Sequence, residues 1–155
     1  MCIRDRQRTG DPQRAERLYR EVLEQMPTLD LAANNLAALL AGDGSDKQRL
    51  AEARTIALRF EKSDQPFFAD TLGWIYYLAG EQENAERLLA RAVAGAPEQA
   101  LFHYHLGAVL EQLGRVPEAR EHLQRARKLA AEHGQFDGYD EAMALLARVS
   151  RDAAP

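Results

Sequence analysis

Residues 66–99 read PFFADTLGWIYYLAGEQENAERLLARAVAGAPEQ, and the same order of residue types returns 34 positions later. The aligned pairs are Leu72 with Leu106, Gly73 with Gly107, Gly80 with Gly114, Ala85 with Ala119, Leu89 with Leu123, Arg91 with Arg125 and Ala92 with Ala126. A fixed period of this length is typical of a repeat array, in which each unit is one helical hairpin that cannot bury its core alone. The stretch therefore predicts an all-α protein, an α-solenoid of stacked antiparallel helix hairpins with about eight helices.

The repeated positions resemble the tetratricopeptide repeat. That family's pattern of an aromatic residue, Leu-Gly, Tyr, Ala, a large apolar residue, Ala and Pro is filled by Ala69, Leu72-Gly73, Tyr76, Ala85, Leu89, Ala92 and Pro97. Only Ala69 departs from the pattern, because the family has an aromatic residue there. The segments DTLGWIYYLAG (70–80) and HYHLGAVLEQLG (103–114) also resemble the C-terminal part of longer bacterial tetratricopeptide repeat proteins. Many proteins of that kind serve in cell-envelope or exopolysaccharide export systems.

Turn residues and the repeat spacing divide the chain into segments. The hexapeptide MCIRDR at the start resembles translated adapter sequence, so 1–10 is predicted to be non-native or disordered. Residues 11–29 have the spacing of a second repeat helix, from Ala15, Tyr19 and Val22 to Pro27, and are predicted to be what remains of a truncated repeat. The following segments are a repeat with a loop insertion at 42–46 (30–65), two regular repeats (66–99 and 100–133), and a C-terminal capping helix with a tail (134–155).

Helix ends and glycines give more local predictions. The patterns predict helices over 11–26, 47–61 and 137–151, among others. Gly80 and Gly114 stand where a left-handed cap ends a helix. Gly73 and Gly107 stand inside helices, where glycine costs about 1 kcal/mol against alanine. Close approach of the paired helix, at Ala85 and Ala119, is the predicted compensation.

Charge and composition exclude several classes of partner. The chain has 24 acidic and 20 basic residues and a net charge of −4, whereas nucleic acids and anionic membranes call for a basic face. No apolar run approaches the ~20 residues of a membrane span, so membrane insertion is not expected. Cys2 is the only cysteine, which excludes an internal disulfide and a cysteine metal site. Neither a nucleic-acid partner nor a cofactor is predicted, and the compartment stays open between cytoplasm and periplasm.

A second stripe on the first helix of the repeat 66–99 points away from the hairpin core. It consists of Phe67, Asp70, Trp74 and Tyr77, at i, i+3, i+7 and i+10. In the resembled family such positions line a concave groove, which implies a partner-binding site formed by Asn34, Phe67, Asp70, Trp74, Tyr77, Tyr104, Ala108 and Glu111. Rigid aromatic rings with a few polar groups are typical of binding hot spots. The alternative is that Trp74 and Tyr77 fill the space between neighbouring hairpins.

Other kinds of site are disfavoured. Family members that hold the C-terminal carboxylate of chaperone tails use Lys and Arg on these helices, where this chain has Asp70, Thr71, Tyr104 and His105. His103 and His105 point about 200° apart on a helix and cannot share a metal ion. His122 and His133 lie in other segments, and the sequence shows no nucleophile elbow or phosphate-binding glycine loop. No catalytic or metal-binding residue is predicted.

These observations favour a non-enzymatic protein–protein interaction scaffold that binds a peptide or a helix of another protein in its groove. The resemblance adds an expected setting in a bacterial envelope or exopolysaccharide export system. The alternative is the C-terminal regulatory region of a larger enzyme truncated upstream. A homodimer is also predicted through the first helix, on a face formed by Leu18, Tyr19 and Val22.

Overall fold

Eight α-helices run through residues 11–152, the part of the chain that the computed structural model describes. They are α1 (Pro12–Gln25), α2 (Asp30–Ala41), α3 (Lys47–Ala57), α4 (Pro66–Leu78), α5 (Gln82–Gly95), α6 (Ala100–Gln112), α7 (Val116–His133) and α8 (Tyr139–Arg151). The predicted all-α solenoid is confirmed. The N-terminal segment predicted to be non-native or disordered lies outside the described residues. None of these helices within 11–152 combines the length and the apolarity that crossing a bilayer requires.

The helices form hairpins that stack on one another. The most extensive packing joins α4 to α5, α6 to α7 and α2 to α3, so each pair is one hairpin. We call α2, α4 and α6 the first helices. Each first helix also contacts the next, α2 with α4 and α4 with α6, and α8 contacts α6 and α7 in the same way as a further first helix. The first helices therefore form one continuous wall of the stack.

Glycine caps end two of the first helices as predicted. Gly80 and Gly114 have positive φ angles of 82° and 75°. Around Gly80, the Glu81 N–H donates to Tyr76 O at 2.9 Å and the Gly80 N–H donates to Tyr77 O at 3.0 Å, which is the Schellman arrangement. The chain reverses at Gly80 and Glu81, and α5 begins at Gln82.

The mid-helix glycines allow the two helices of a hairpin to come close together. A Cβ on Gly73 would lie 2.8 Å from Leu89 Cγ, and one on Gly107 would lie 2.9 Å from Leu123 Cγ. Close approach of the paired helix is therefore confirmed at both glycines. A leucine side chain lies nearest in each case, and at Gly107 the predicted neighbour Ala119 is also close, with its backbone oxygen 3.3 Å from the added Cβ.

Two helix boundaries differ from the predicted ones. Helix α3 ends at Ala57 and continues as a 3₁₀ turn over Leu58–Phe60, which buries the Phe60 ring against Phe68 at 4.5 Å between centroids. The last helix begins at Tyr139 rather than at residue 137, because Gly138 is left-handed (φ 89°) and interrupts the helical path. Asp137 is left in the loop before α8.

Helix α1 exposes less apolar surface than the sequence indicated. Leu18 is 49% exposed, but Tyr19 is only 9% exposed and belongs to the main hydrophobic core, with Val22 packed beside it. The face that was predicted to support a homodimer is therefore largely used in packing against α2.

Candidate functional site

The first helices line a pocket of about 230 Å³, which we call the groove pocket. Its walls include Asn34 and Ala38 of α2, Phe67, Asp70 and Trp74 of α4, Leu101 and His105 of α6, and Asp137 from the loop before α8. Phe67 is 44% exposed, although its ring also packs edge-on against Phe102. Of the eight residues predicted for a groove, four line this pocket: Asn34, Phe67, Asp70 and Trp74.

Trp74 forms both a groove wall and a contact between hairpins. Its ring stacks on Tyr77 of the same helix, with centroids 4.5 Å apart, and on His105 of the next first helix, with centroids 4.0 Å apart. Trp74 therefore lines the groove pocket and also packs between neighbouring hairpins, which are the two positions that the sequence left open. A ring held on two sides is a rigid surface element, as binding hot spots require.

Asp70 is buried rather than free at the groove surface. Its Oδ1 and Oδ2 lie 2.8 and 3.0 Å from His105 Nδ1, and Asp70 and His105 are 5% and 7% exposed. A buried carboxylate needs such a partner, because desolvation of an unpaired charge is costly. His105 was overlooked as this partner, although it aligns with Thr71 one repeat earlier, next to Asp70.

The other four predicted residues lie outside the groove pocket. Tyr104 is partly covered by the segment before α8, where Phe136 lies 5.9 Å away between ring centroids, and burial raises the pKa of Tyr104 to about 12. Burial also raises the pKa of Tyr77. Ala108 is 2% exposed, and Glu111 accepts a hydrogen bond from Arg148 of α8 at 2.9 Å. Helix α8 thus engages the part of the wall that α6 provides.

A pair of histidines joins the two helices of the third hairpin. His103 Nδ1 lies 2.9 Å from His122 Nδ1, and His103 Nε2 lies 3.0 Å from Pro97 O. Because a carbonyl can only accept, His103 Nε2 carries a hydrogen and its Nδ1 accepts from His122 in the neutral pair. Burial lowers the pKa of both rings. Within the described residues, no group of three or more His, Cys, Asp or Glu side chains could hold a metal ion.

The alignment of the repeats contains a signal for this pair of histidines. Shifted back by one period, His103 aligns with Ala69 and His122 with Leu88, which are both buried in the preceding hairpin. The repeat register therefore places both imidazoles inside the hairpin.

Charged residues are distributed unequally between the two sides of the stack. All 20 Lys and Arg residues lie outside the stretches 21–46, 63–86 and 92–114, which contain the first helices entirely. The second helices α3, α5 and α7, together with α1, carry most of the Arg–Glu pairs, such as Arg20 with Glu52 at 2.6 Å and Arg49 with Glu16 at 2.9 Å. The first helices therefore form a wall without Lys or Arg.

Comparison with known proteins agrees with this architecture. The family model of the tetratricopeptide repeat matches residues 100–133. A TPR repeat-containing protein of Pseudomonas aeruginosa, PA4667, is 34% identical over 103 residues, which is 65% of this chain. The chain spans only 17% of the length of that relative.

Solved structures share the fold at low sequence identity. MamA 41-end from Desulfovibrio magneticus RS-1 has a TM-score of 0.64 at 19% identity, over 98% of this chain and 93% of that one. The Yersinia enterocolitica type III secretion chaperone SycD, in complex with a peptide of the translocator YopD, has a TM-score of 0.63 at 18% identity, over 86% of this chain and 96% of that one. The stacked hairpins, with glycines at equivalent positions of successive repeats, are those of an α-solenoid. The chain therefore contains a tetratricopeptide repeat, at 100–133, within a stack of hairpins of the same kind.

Proposed function

We propose that the protein is a non-enzymatic scaffold that binds an extended peptide or a helix of another protein in the groove formed by its first helices. The observation that carries the proposal is the groove pocket itself, a concave site with a rigid aromatic wall at Trp74 and an exposed aromatic ring at Phe67. Concave grooves of this kind suit peptide ligands, because a few buried anchor residues supply most of the binding energy.

Two further facts support the proposal. Large apolar side chains that are exposed on a folded protein mark interaction sites when they cluster, and the exposed Phe67 lines the groove pocket together with Trp74 and Leu101. A structure with the same fold, that of SycD, is known with a peptide of its translocator. An envelope or exopolysaccharide export setting forms part of the proposal on the strength of the sequence resemblance alone.

The test is a selection from a displayed library of random 12-residue peptides, followed by titration of the selected peptides with Trp74 emission as the readout. We expect Phe67→Ser to weaken binding at least about tenfold, since removing a hot-spot side chain costs 2 kcal/mol or more. The matched control is Leu58→Ser, which changes a side chain of nearly equal exposure (45%) outside the groove pocket. Equal binding by both variants would place the peptide elsewhere and reject the groove.

A further inference from the structure

We propose that the groove pocket accepts a Lys or Arg side chain of the bound partner, with the aliphatic stem against the aromatic wall and the cationic end at Asp137. This inference rests on the proposed function and specifies the chemistry of the partner. It follows from three properties of the pocket, which are its charge, its hydrogen-bond acceptors and its size.

The first property is charge. The pocket is lined by side chains of α2, α4 and α6, and these helices contain no Lys or Arg. Among residues 11–152, the only basic side chain on its wall is His105, whose Nδ1 is bound to Asp70. A partner that carries a carboxylate or a phosphate at this point would meet acidic groups without a compensating cation, whereas a cationic partner is complementary to the pocket.

The second property is the supply of acceptors. Asp70 already accepts from His105, so the carboxylate that remains for a ligand is that of Asp137, which is exposed and makes no ion pair with the residues of 11–152. Asn34 Oδ1 is buried and has no hydrogen-bond partner within the same residues. Because Asn34 also lines the pocket, this unused acceptor lies in its wall. An ammonium or guanidinium group donates hydrogen bonds and accepts none, which matches this set of acceptors.

The third property is size together with the apolar wall. The pocket volume of about 230 Å³ is below the range of about 300–1,000 Å³ that is typical of sites for drug-sized molecules, so one long side chain suits it better than a cofactor. Phe67, Trp74 and Leu101 provide an apolar surface between Asn34 and the loop of Asp137. Lys and Arg side chains bury their aliphatic stems along such surfaces and keep the charge at a polar end.

The experiment uses the peptides selected by the wild-type protein. In each of them, every Lys or Arg is replaced in turn by norleucine, which keeps the aliphatic stem and removes the charge. We expect one such replacement to weaken binding about five- to tenfold at 50 mM NaCl, and less at 500 mM because the salt screens the charges. The same replacement should have little effect on binding to Asp137→Asn. The control Asp64→Asn removes an exposed loop carboxylate outside the groove pocket and should behave like the wild type.

The outcomes separate this inference from the proposed function. Peptides that require Phe67 but bind equally well with norleucine would overturn the cationic pocket and leave the groove function intact. Selected peptides that share a carboxylate in place of a cation would overturn it too. If the library yields no peptide whose binding depends on Phe67, both proposals are wrong.

Discussion

At the scale of single residues, the pair of His103 and His122 is the feature most sensitive to solution conditions. The two imidazoles share one hydrogen between their Nδ1 atoms, so protonation of both rings would place two N–H groups opposite each other. Arg125 lies near His103 and disfavours its protonation, while Glu98 near His103 and Glu118 and Glu121 near His122 favour it. Burial outweighs the carboxylates, so the pKa of both rings is lowered in the folded protein.

This pair predicts that stability falls in mild acid. In the unfolded chain histidine titrates near about 6.5, so the unfolded state takes up protons before the folded state does as the pH decreases. The contribution of the pair is therefore present above that pH and is lost as the pH falls through the lowered folded-state pKa. Urea unfolding at pH 7.5, 6.5, 5.5 and 5.0 should show a smaller decline for the double variant His103→Gln/His122→Gln than for the wild type.

The control for this measurement is His133→Gln, at an exposed position at the end of α7. It should retain the wild-type decline. An undiminished decline in the double variant would show that other groups dominate the pH dependence.

Residue types alone could not show which side chains His103 and His105 contact. The sequence contains four histidines, and the spacing of His103 and His105 argues against a shared metal site. The actual partners of these two residues, His122 and Asp70, lie 19 and 35 positions away. Such pairings are set by the packing of one helix on another, so only the repeat register, applied to every polar residue, could have indicated them.

At the scale of elements, the close approach of α4 and α5 depends on Gly73. We expect Gly73→Ala to destabilise the protein, because the new Cβ would lie 2.8 Å from Leu89 Cγ, and Leu89 is fully buried and has no room to move. Overpacking costs about 1–3 kcal/mol, and alanine returns about 1 kcal/mol of helix propensity, which leaves a net loss of about 1 kcal/mol. Chemical denaturation of the purified variant measures this loss.

The same substitution in a Leu89→Ala background provides the check. Leu89→Ala alone should cost about 2–5 kcal/mol through the cavity that it creates. In that background the two contacts with Leu89 are absent and Leu88 Cβ remains at 3.2 Å, so Gly73→Ala should cost less than in the wild type or be neutral. Additive effects of the two substitutions would mean that the glycine is not required for helix contact.

Elements were predicted well where periodicity and caps agree. The glycine caps and the hairpin order follow from local rules, and both Gly80 and Gly114 have the positive φ that the sequence predicted. The predicted helix boundaries were wrong where tertiary contacts determine the end or the start of a helix. The end of α3 becomes a 3₁₀ turn because Phe60 packs on Phe68, and the start of α8 is delayed at Gly138, where a Cβ would lie 2.9 Å from Tyr104 Cε1. Neither contact has a sequence-local signature.

At the scale of the whole molecule, ion pairs link helices of successive hairpins on the side away from the groove. Glu16 of α1 accepts from both Arg20 and Arg49, and Arg20 also bonds Glu52 of α3. The hydrogen bond from Arg20 lowers the pKa of Glu16. Further along the stack, Arg115 pairs with Glu86 of α5.

We expect Glu16→Gln to lower the free energy of unfolding by up to about 1 kcal/mol at 50 mM NaCl, because surface ion pairs contribute little each and this carboxylate serves two of them. At 500 mM NaCl the difference from the wild type should shrink, since screening weakens the pairs in both proteins. Glu24→Gln, at an exposed position of the same helix, is the control. A loss for Glu16→Gln that does not change with salt would point to packing rather than charge.

The residues predicted for a groove lie on the first helices, and half of them line the groove pocket. Helical spacing placed Asn34, Phe67, Asp70 and Trp74 on one wall, since the period of the first helices is regular. It could not show that Ala108 is buried or that the segment before α8 covers Tyr104, because both depend on how the last helix packs. Asp137 was predicted to belong to the final helix, yet it supplies a pocket carboxylate that has no ion pair within residues 11–152.

The absence of Lys and Arg from the first helices also determines how the protein can be mapped. Trypsin cleaves only after these two residues, so each first helix stays whole within one tryptic peptide, 21–47, 63–87 or 92–115. Oxidative footprinting read by mass spectrometry would therefore report the three helices separately. Trp74 and Tyr77 fall in the middle peptide, and Tyr104 and His105 in the last. Trypsin thus divides the wall of first helices into three fragments, each of which can be monitored without a label.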